Sequence, residues 1–359
     1  MKPSALVFAL LGASAGTAWA QSSVQVYGLL DAGIVNENGC PGGCTVRIDS
    51  GIASESRIGI RGTEYIGDGL SAIFALEAGI LVDTGESNPS GVLFGRQAYV
   101  GLQGKAGTVT VGRQQNLEYT ALVDVGDPFK GGMAGAATNL IGSSNHRTNN
   151  SIHYYSGEVH GVSAAASYGA GEVPGDSSEN RAWGISVGFA NGPLTIRAAH
   201  QNRNVAKVAP ATPMGNNLDA KNSILAANVR VGIATAYAAY SVNRGWGSSP
   251  LFNPDNPYGA SMASTPSTDS RDILVGLAVP VGGATTLLAS YIRKNDRDLA
   301  NQDADQVAFG ATYSVSRRTD FYAAYSRITN RNGAGYTVGN ASSPGHGNSA
   351  VNVGMRHAF

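Results

Sequence analysis

The residues of this 359-residue chain that could do chemistry are arginines and carboxylates, gathered in a few stretches. Arg57, Arg61, Arg96, Arg113 and Arg147 stand in or beside segments whose side chains alternate between apolar and polar. Glu118, Asp124 and Asp127 stand in one long segment, 114–149, that has no such alternation. An arginine stays charged at every working pH and offers several donors to a passing anion. Arginines set opposite acids across a water-filled passage create a transverse field that orients water and sorts ions without making a bond. Bond-making sets are weaker. The six histidines are His146, His153, His160, His200, His346 and His357; Ser151 is two residues from His153, but no third orienting group declares itself, and a triad is judged by geometry. Cys40 and Cys44 are an even pair in a chain that reads as exported, which favours a disulfide stapling a surface loop. A metal site is the rival reading, although no histidine lies near them. No cofactor and no enzymatic activity are expected.

These residues need a scaffold. Residues 94–102 (FGRQAYVGL), a glycine-bounded link at 104–107 and residues 108–113 read as a β-hairpin. The segment 114–149 that follows is too long to be an idle loop inside a compact domain. The reading is that it folds into the lumen of a membrane barrel and narrows it.

Composition agrees. Charged residues are 14% of the chain and glycine contributes 48 residues, whereas a soluble domain is nearer ~25% charged. Beyond the N-terminus no run reaches the roughly 18 apolar residues of a membrane helix. Lys2, the apolar stretch 5–11 and Ala18-Trp19-Ala20 form a secretory signal, so the expected division is a signal peptide at 1–20 and an outer-membrane barrel at 21–359. Lys+Arg and Asp+Glu both number 25, so no basic excess argues for nucleic acid.

The strands show the pattern of a barrel wall. Val24, Val26, Leu30 and Ile34 oppose Gln25 and Asp31; Ile58 and Ile60 oppose Arg57, Arg61 and Thr63; Leu194, Ile196 and Ala198 oppose Thr195, Arg197 and Gln201. In 285–293 apolar residues fall on both faces. Short links near 67–69, 104–107, 157–161, 191–193, 232, 282–283 and 316–318 alternate with long ones near 36–54, 82–91, 114–149, 170–181, 202–220, 243–270, 294–304 and 329–348. This predicts an all-β, transmembrane antiparallel barrel of about sixteen strands, with fourteen or eighteen as the neighbouring counts. A soluble sandwich does not require one end of every strand pair to be long, and a β-helix requires an internal repeat that is absent.

Four segments, 27–33 (YGLLDAG), 56–62 (SRIGIRG), 94–102 (FGRQAYVGL) and 354–359 (GMRHAF), resemble the general-diffusion porins of betaproteobacteria, of the neisserial, comamonad and Burkholderia-like type. The resemblance runs along the whole mature chain. It implies a homotrimeric, sixteen-stranded barrel whose third extracellular loop folds inward. It implies a terminal Phe359 read by the barrel-assembly machinery, with outer-membrane lipid and lipopolysaccharide as surroundings. Arg57 and Arg96 match the family's wall arginines, Glu77 its wall acid and Arg147 an arginine near the loop's end; Asp124 or Asp127 stands for the loop acid. Strict alternation sets Arg96 beside Phe94, Ala98 and Val100, so either a bulge turns it inward or that part of the strand faces a neighbouring subunit. The function expected is passive diffusion of small hydrophilic solutes and ions with weak anion preference. The alternatives are a substrate-selective uptake channel, with Tyr119, Phe129, Tyr154 and Tyr155 as aromatic candidates, or a barrel hydrolase.

Overall fold

Side chains that take turns facing fat and water give a wall with one apolar surface, and such a wall is stable in a membrane only when its edges meet. The computed structural model describes residues 22–143, 146–204, 219–250 and 267–359. The signal segment 1–20 lies outside them. The strands are β1 (Ser23–Asn38), β2 (Val46–Ser50), β3 (Arg57–Gly67), β4 (Leu70–Gly79), β5 (Gln97–Gly104), β6 (Gly107–Gln115), β7 (Arg147–Tyr155), β8 (Val162–Gly169) and β9 (Ala182–Asn191). The wall continues with β10 (Leu194–Arg203), β11 (Ala220–Val231), β12 (Ala234–Arg244), β13 (Asp269–Val281), β14 (Thr285–Asp296), β15 (Ala304–Ser314), β16 (Thr319–Asn330) and β17 (Ser349–Ala358).

Every pairing is antiparallel and the sheet closes on itself, because β17 pairs with β1 from Leu29↔Ala358 to Asn38↔Ser349. On its other edge β1 pairs first with β3, from Ser23↔Thr63 to Leu29↔Arg57, and then with β2, from Ala32↔Ser50 to Asn36↔Val46. β2 and β3 therefore share one position, and the wall is a closed sixteen-stranded barrel. β2 corrects the expectation of an unbroken link over 36–54. All seven short turns fall where the alternation placed them, as do the strand ends that bound the long links; residues 205–218 and 251–266 of two of those links lie outside the described residues.

The outward row is apolar, as Val24, Val26, Ile58, Ile60, Val100, Leu225 and Val353 are all exposed. The core lies on the other face. The segment between β6 and β7 carries a short helix α1 (Leu117–Ala121) capped by the Asn116 side chain, then a π-helical turn at Leu122–Gly126. Its Leu122, Val125, Phe129, Met133, Leu140 and Ile141 cluster with Ile224, Leu274, Leu288, Ile292 and Ile328 of the wall. That contact explains why β14 is apolar on both sides: Leu287 and Tyr291 face outward, while Leu288 and Ile292 meet the loop.

The wall grips this loop by its backbone. Asn228 Nδ2 donates to Val125 O at 3.0 Å, Gln306 Nε2 to Gly135 O at 3.3 Å, Lys294 Nζ to Leu140 O at 3.1 Å and Asn222 Nδ2 to Gly142 O at 3.1 Å. Carbonyls left unpaired by irregular chain are costly when buried, so these donors stabilise a conformation that the loop's own periodicity does not encode.

Candidate functional site

Where β3, β4, β5 and β7 begin or end on the long-link side, three arginines converge on two glutamates. Arg96 Nε donates to Glu77 Oε1 at 2.7 Å, and Arg57 Nε is 3.8 Å from Glu77 Oε2. Arg96 also pairs with Glu55, and Arg147 Nη2 reaches Glu55 Oε2 at 2.6 Å. Arg147 Nε donates to Arg96 O at 3.1 Å, tying the two arginines by backbone as well. Tyr27 adds its hydroxyl to Glu77 Oε2 at 2.8 Å. Arg96, Arg147 and Glu77 are buried, whereas Arg57 is partly open.

The register explains this convergence. Tyr27, Gly59 and Glu77 form one cross-strand row on the inner face. Gly59 is needed there, since a Cβ would lie 2.5 Å from the Tyr27 ring. Arg96 stands one residue before β5, where alternation has not yet begun, and turns its guanidinium inward. The bulge or subunit-facing strand that alternation suggested is not required.

Arg61 lies four residues beyond Arg57 on the same inner face and donates to Gln25 Oε1 at 2.8 Å. Arg113 is different. It pairs with Ala98, which pairs with Leu76 and then Ile60, so it belongs to the outward row. Its Nε donates to Gly95 O at 2.7 Å, and it also meets Asn149. Along β6 the alternation is unbroken: Val109 and Val111 are exposed outward on the same side as Arg113, while Thr110 and Gln114 are buried inward, where Thr110 Oγ1 donates to Gln114 Oε1 at 2.5 Å.

The loop acids separate into three kinds. Asp124 is exposed and lies 3.7 Å from Arg197 of β10, away from the arginine cluster. Asp127 is fully buried, and its carboxylate accepts the N–H groups of Phe129, Gly131 and Ala137 at 2.8–2.9 Å, so it shapes the loop. Burial lifts its pKa to about 6 against those three bonds. Glu118 is fully buried and has no hydrogen-bond partner among the described residues, and burial lifts it to about 8. No ion pair joins Glu118 or Asp127 to an arginine among the described residues.

Sequence reasoning missed Glu55, Arg197 and Lys294 as site residues. Glu55 sits in the irregular stretch between β2 and β3, where no period marks it. Arg197 carried a signal, since it alternates inward with Thr195 and Gln201. The hydrolase candidates do not assemble: Ser151 donates to Gly112 O at 2.7 Å, and His153 Nδ1 is instead 3.0 Å from the Tyr155 hydroxyl. Of the aromatic candidates, Phe129 is buried, Tyr119 stacks on His146 and Tyr154 faces outward. Cys40 and Cys44 are joined in a disulfide, with Cα atoms 5.2 Å apart.

A closed barrel with an apolar exterior, charged interior and inwardly gripped loop has clear counterparts among known proteins. The family model described as Gram-negative porin matches residues 5–333. The chain belongs to the Gram-negative porin family. An outer membrane porin protein of Bordetella pertussis is 29% identical, with all of both chains covered, as is outer membrane porin protein 32 of Delftia acidovorans. Among solved structures, the anion-selective porin from Comamonas acidovorans superposes with a TM-score of 0.75 at 26% identity, covering 94% of this chain and all of that one. The protein is thus an outer-membrane porin, a channel for passive diffusion across the Gram-negative outer membrane. In this porin the last residue is part of the seam. Phe359 exchanges two backbone hydrogen bonds with Gly28, at 3.1 and 3.0 Å, and its ring occupies the space a Gly28 Cβ would need.

Proposed function

We propose that this porin is a general-diffusion channel with weak anion preference, narrowed by the segment 114–149, and that it works as a homotrimer. The observation that carries the preference is the charge count on the inner wall. Among the described residues Arg57, Arg96 and Arg147 pair only with Glu55 and Glu77, and Arg61 pairs with the neutral Gln25. Glu118, raised to about 8 by burial, is largely neutral at pH 7 and does not offset them. A partly open arginine at a narrowing attracts anions through a region where water screens poorly. The arginine–glutamate pairs hold the guanidinium groups in place, and the unmatched positive charge biases the traffic. The solved relative described as anion-selective supports the same reading.

The segment from β6 to β7 narrows the passage because its apolar side fills space inside the wall while Asp124 remains open to water. The trimer reading is supported by a solved relative of the same fold described in a trimer form. Outer-membrane lipid and lipopolysaccharide are the natural surroundings of the apolar exterior. The Phe359 seam is a feature that assembly machinery could read. Reversal potentials in a potassium chloride gradient test the central reading: the porin prefers chloride, and Arg57→Ala weakens that preference.

A further inference from the structure

Arg61 is the inner-face arginine of β3 that no carboxylate neutralises among the described residues. Its Nε and Nη2 both donate to Gln25 Oε1, at 3.1 and 2.8 Å. A guanidinium has five N–H groups. Gln25 occupies one edge of the fork, so the end edge formed by Nη1 and the outer N–H of Nη2 is open to the lumen. The side chain is exposed. Its guanidinium carbon lies over the Tyr27 ring, 4.9 Å from the ring centroid. That ring is held by its hydroxyl on Glu77 Oε2 at 2.8 Å. On the other side, Arg61 pairs with Ala75 and Ala75 with Tyr99, all on one inner row. Ala75 is only 4% exposed, so the longer side chains close over it. The result is a fixed, unmatched guanidinium flanked by two tyrosines. Four residues of strand, about 13 Å at ~3.3 Å each, separate it from Arg57 towards the short-turn mouth.

We infer that Arg61, Tyr27 and Tyr99 form a subsite for aromatic carboxylates. This deepens the anion-preferring reading of the pore and rests on it. A carboxylate matches the free end of the fork with two parallel hydrogen bonds, which a spherical halide cannot make. An aromatic ring gains further from edge or face contact with the tyrosines, roughly severalfold in occupancy. A saturated ring of the same size and charge gains the fork alone. The pore then passes small inorganic anions by charge and holds planar aromatic acids slightly longer or in greater number.

The test uses the purified porin in planar bilayers, with three measurements on each variant: reversal potential in potassium chloride, and permeability relative to chloride for benzoate and for cyclohexanecarboxylate. In the wild type, benzoate exceeds cyclohexanecarboxylate severalfold. Arg61→Gln lowers benzoate permeability more than chloride permeability, and Arg61→Lys, which keeps the charge but not the fork, does the same to a lesser degree. Tyr99→Leu removes the difference between the two acids. Migration of the unheated barrel in detergent gels verifies folding of each variant. Equal permeability of the two acids in the wild type, or equal loss of benzoate and chloride in Arg61→Gln, overturns the subsite. Potassium preference in the wild type overturns the underlying pore reading instead.

Discussion

Arg96 and Glu77 meet at 2.7 Å inside the wall, and neither is more than 6% exposed. The pair fixes two things at once, the direction of Arg96 and the negative charge that Arg57 feels at 3.8 Å. Glu77→Gln keeps the shape and an acceptor but removes the charge. A unit charge ~4 Å away is worth about 1 kcal/mol in water and more at a protein surface. Chloride preference is expected to rise about fivefold or less in reversal-potential measurements. The unfolding temperature is expected to fall, since Arg96 keeps its charge with one partner fewer. A drop in chloride preference would mean that Glu77 organises the arginines more than it offsets them.

Lys294 holds the far end of the loop. It is 1% exposed and donates to Leu140 O, Ser270 Oγ at 2.9 Å and Asp272 Oδ2 at 3.1 Å. Lys294→Met strands a buried Asp272, a change that costs about 3–5 kcal/mol when one member of a buried pair is removed. Lower thermal stability and noisier single-channel current are expected. The double variant Lys294→Met with Asp272→Leu recovers much of the stability but not the quiet current, because the bond to Leu140 O stays lost.

Glu118 gives the loop a pH dependence of definite sign. Its pKa rises from the usual 4.5 to about 8 through burial alone. A group whose folded pKa is raised adds stability that is complete below its unfolded value and disappears as pH climbs through the folded one. The wild type is therefore expected to lose loop stability between about pH 4.5 and 8, read by thermal unfolding or proteolysis at successive pH values. Glu118→Gln, a mimic of the neutral form, flattens the part of that slope above pH 6. Asp127, raised to about 6, contributes with the same sign at lower pH. An unchanged slope in Glu118→Gln would show that the carboxyl is hydrated and ionised.

The seam between β1 and β17 is narrow enough to be tested at one atom. A Cβ on Gly28 would lie 2.2 Å from the Phe359 ring. Gly28→Leu forces that ring away, and folded barrel yield is expected to drop, measured as the fraction that migrates unheated as a compact species. Combining Gly28→Leu with Phe359→Ala relieves the clash and distinguishes packing from recognition of the terminal ring: yield returns if packing dominates.

The wall was legible because a period of two survives wherever one side meets lipid and the other water. Turn positions followed from where that alternation stopped, so the seven short turns were all found. The inward side of Arg57 was legible for the same reason, as its alternation and its register agree. Three features escaped. β2 is five residues long inside a glycine- and serine-rich link, too short for its Val46 and Ile48 to stand out. Arg113 was grouped with the pore arginines although it shares the parity of Val109 and Val111, which face outward. Glu118 and Asp127 looked like pore acids because burial inside an aperiodic loop is set by contacts from distant strands, Asn222, Asn228, Lys294 and Gln306 among them. An acid in such a loop reads the same on paper whether it faces water or three backbone N–H groups.

Reversal potential across a planar bilayer in a potassium chloride gradient, for the wild type and for Arg57→Ala, is the most direct measurement of the central claim. The account predicts a chloride-signed potential that moves towards zero in Arg57→Ala. A potassium-signed potential in the wild type, or an identical chloride-signed one in the variant, contradicts it.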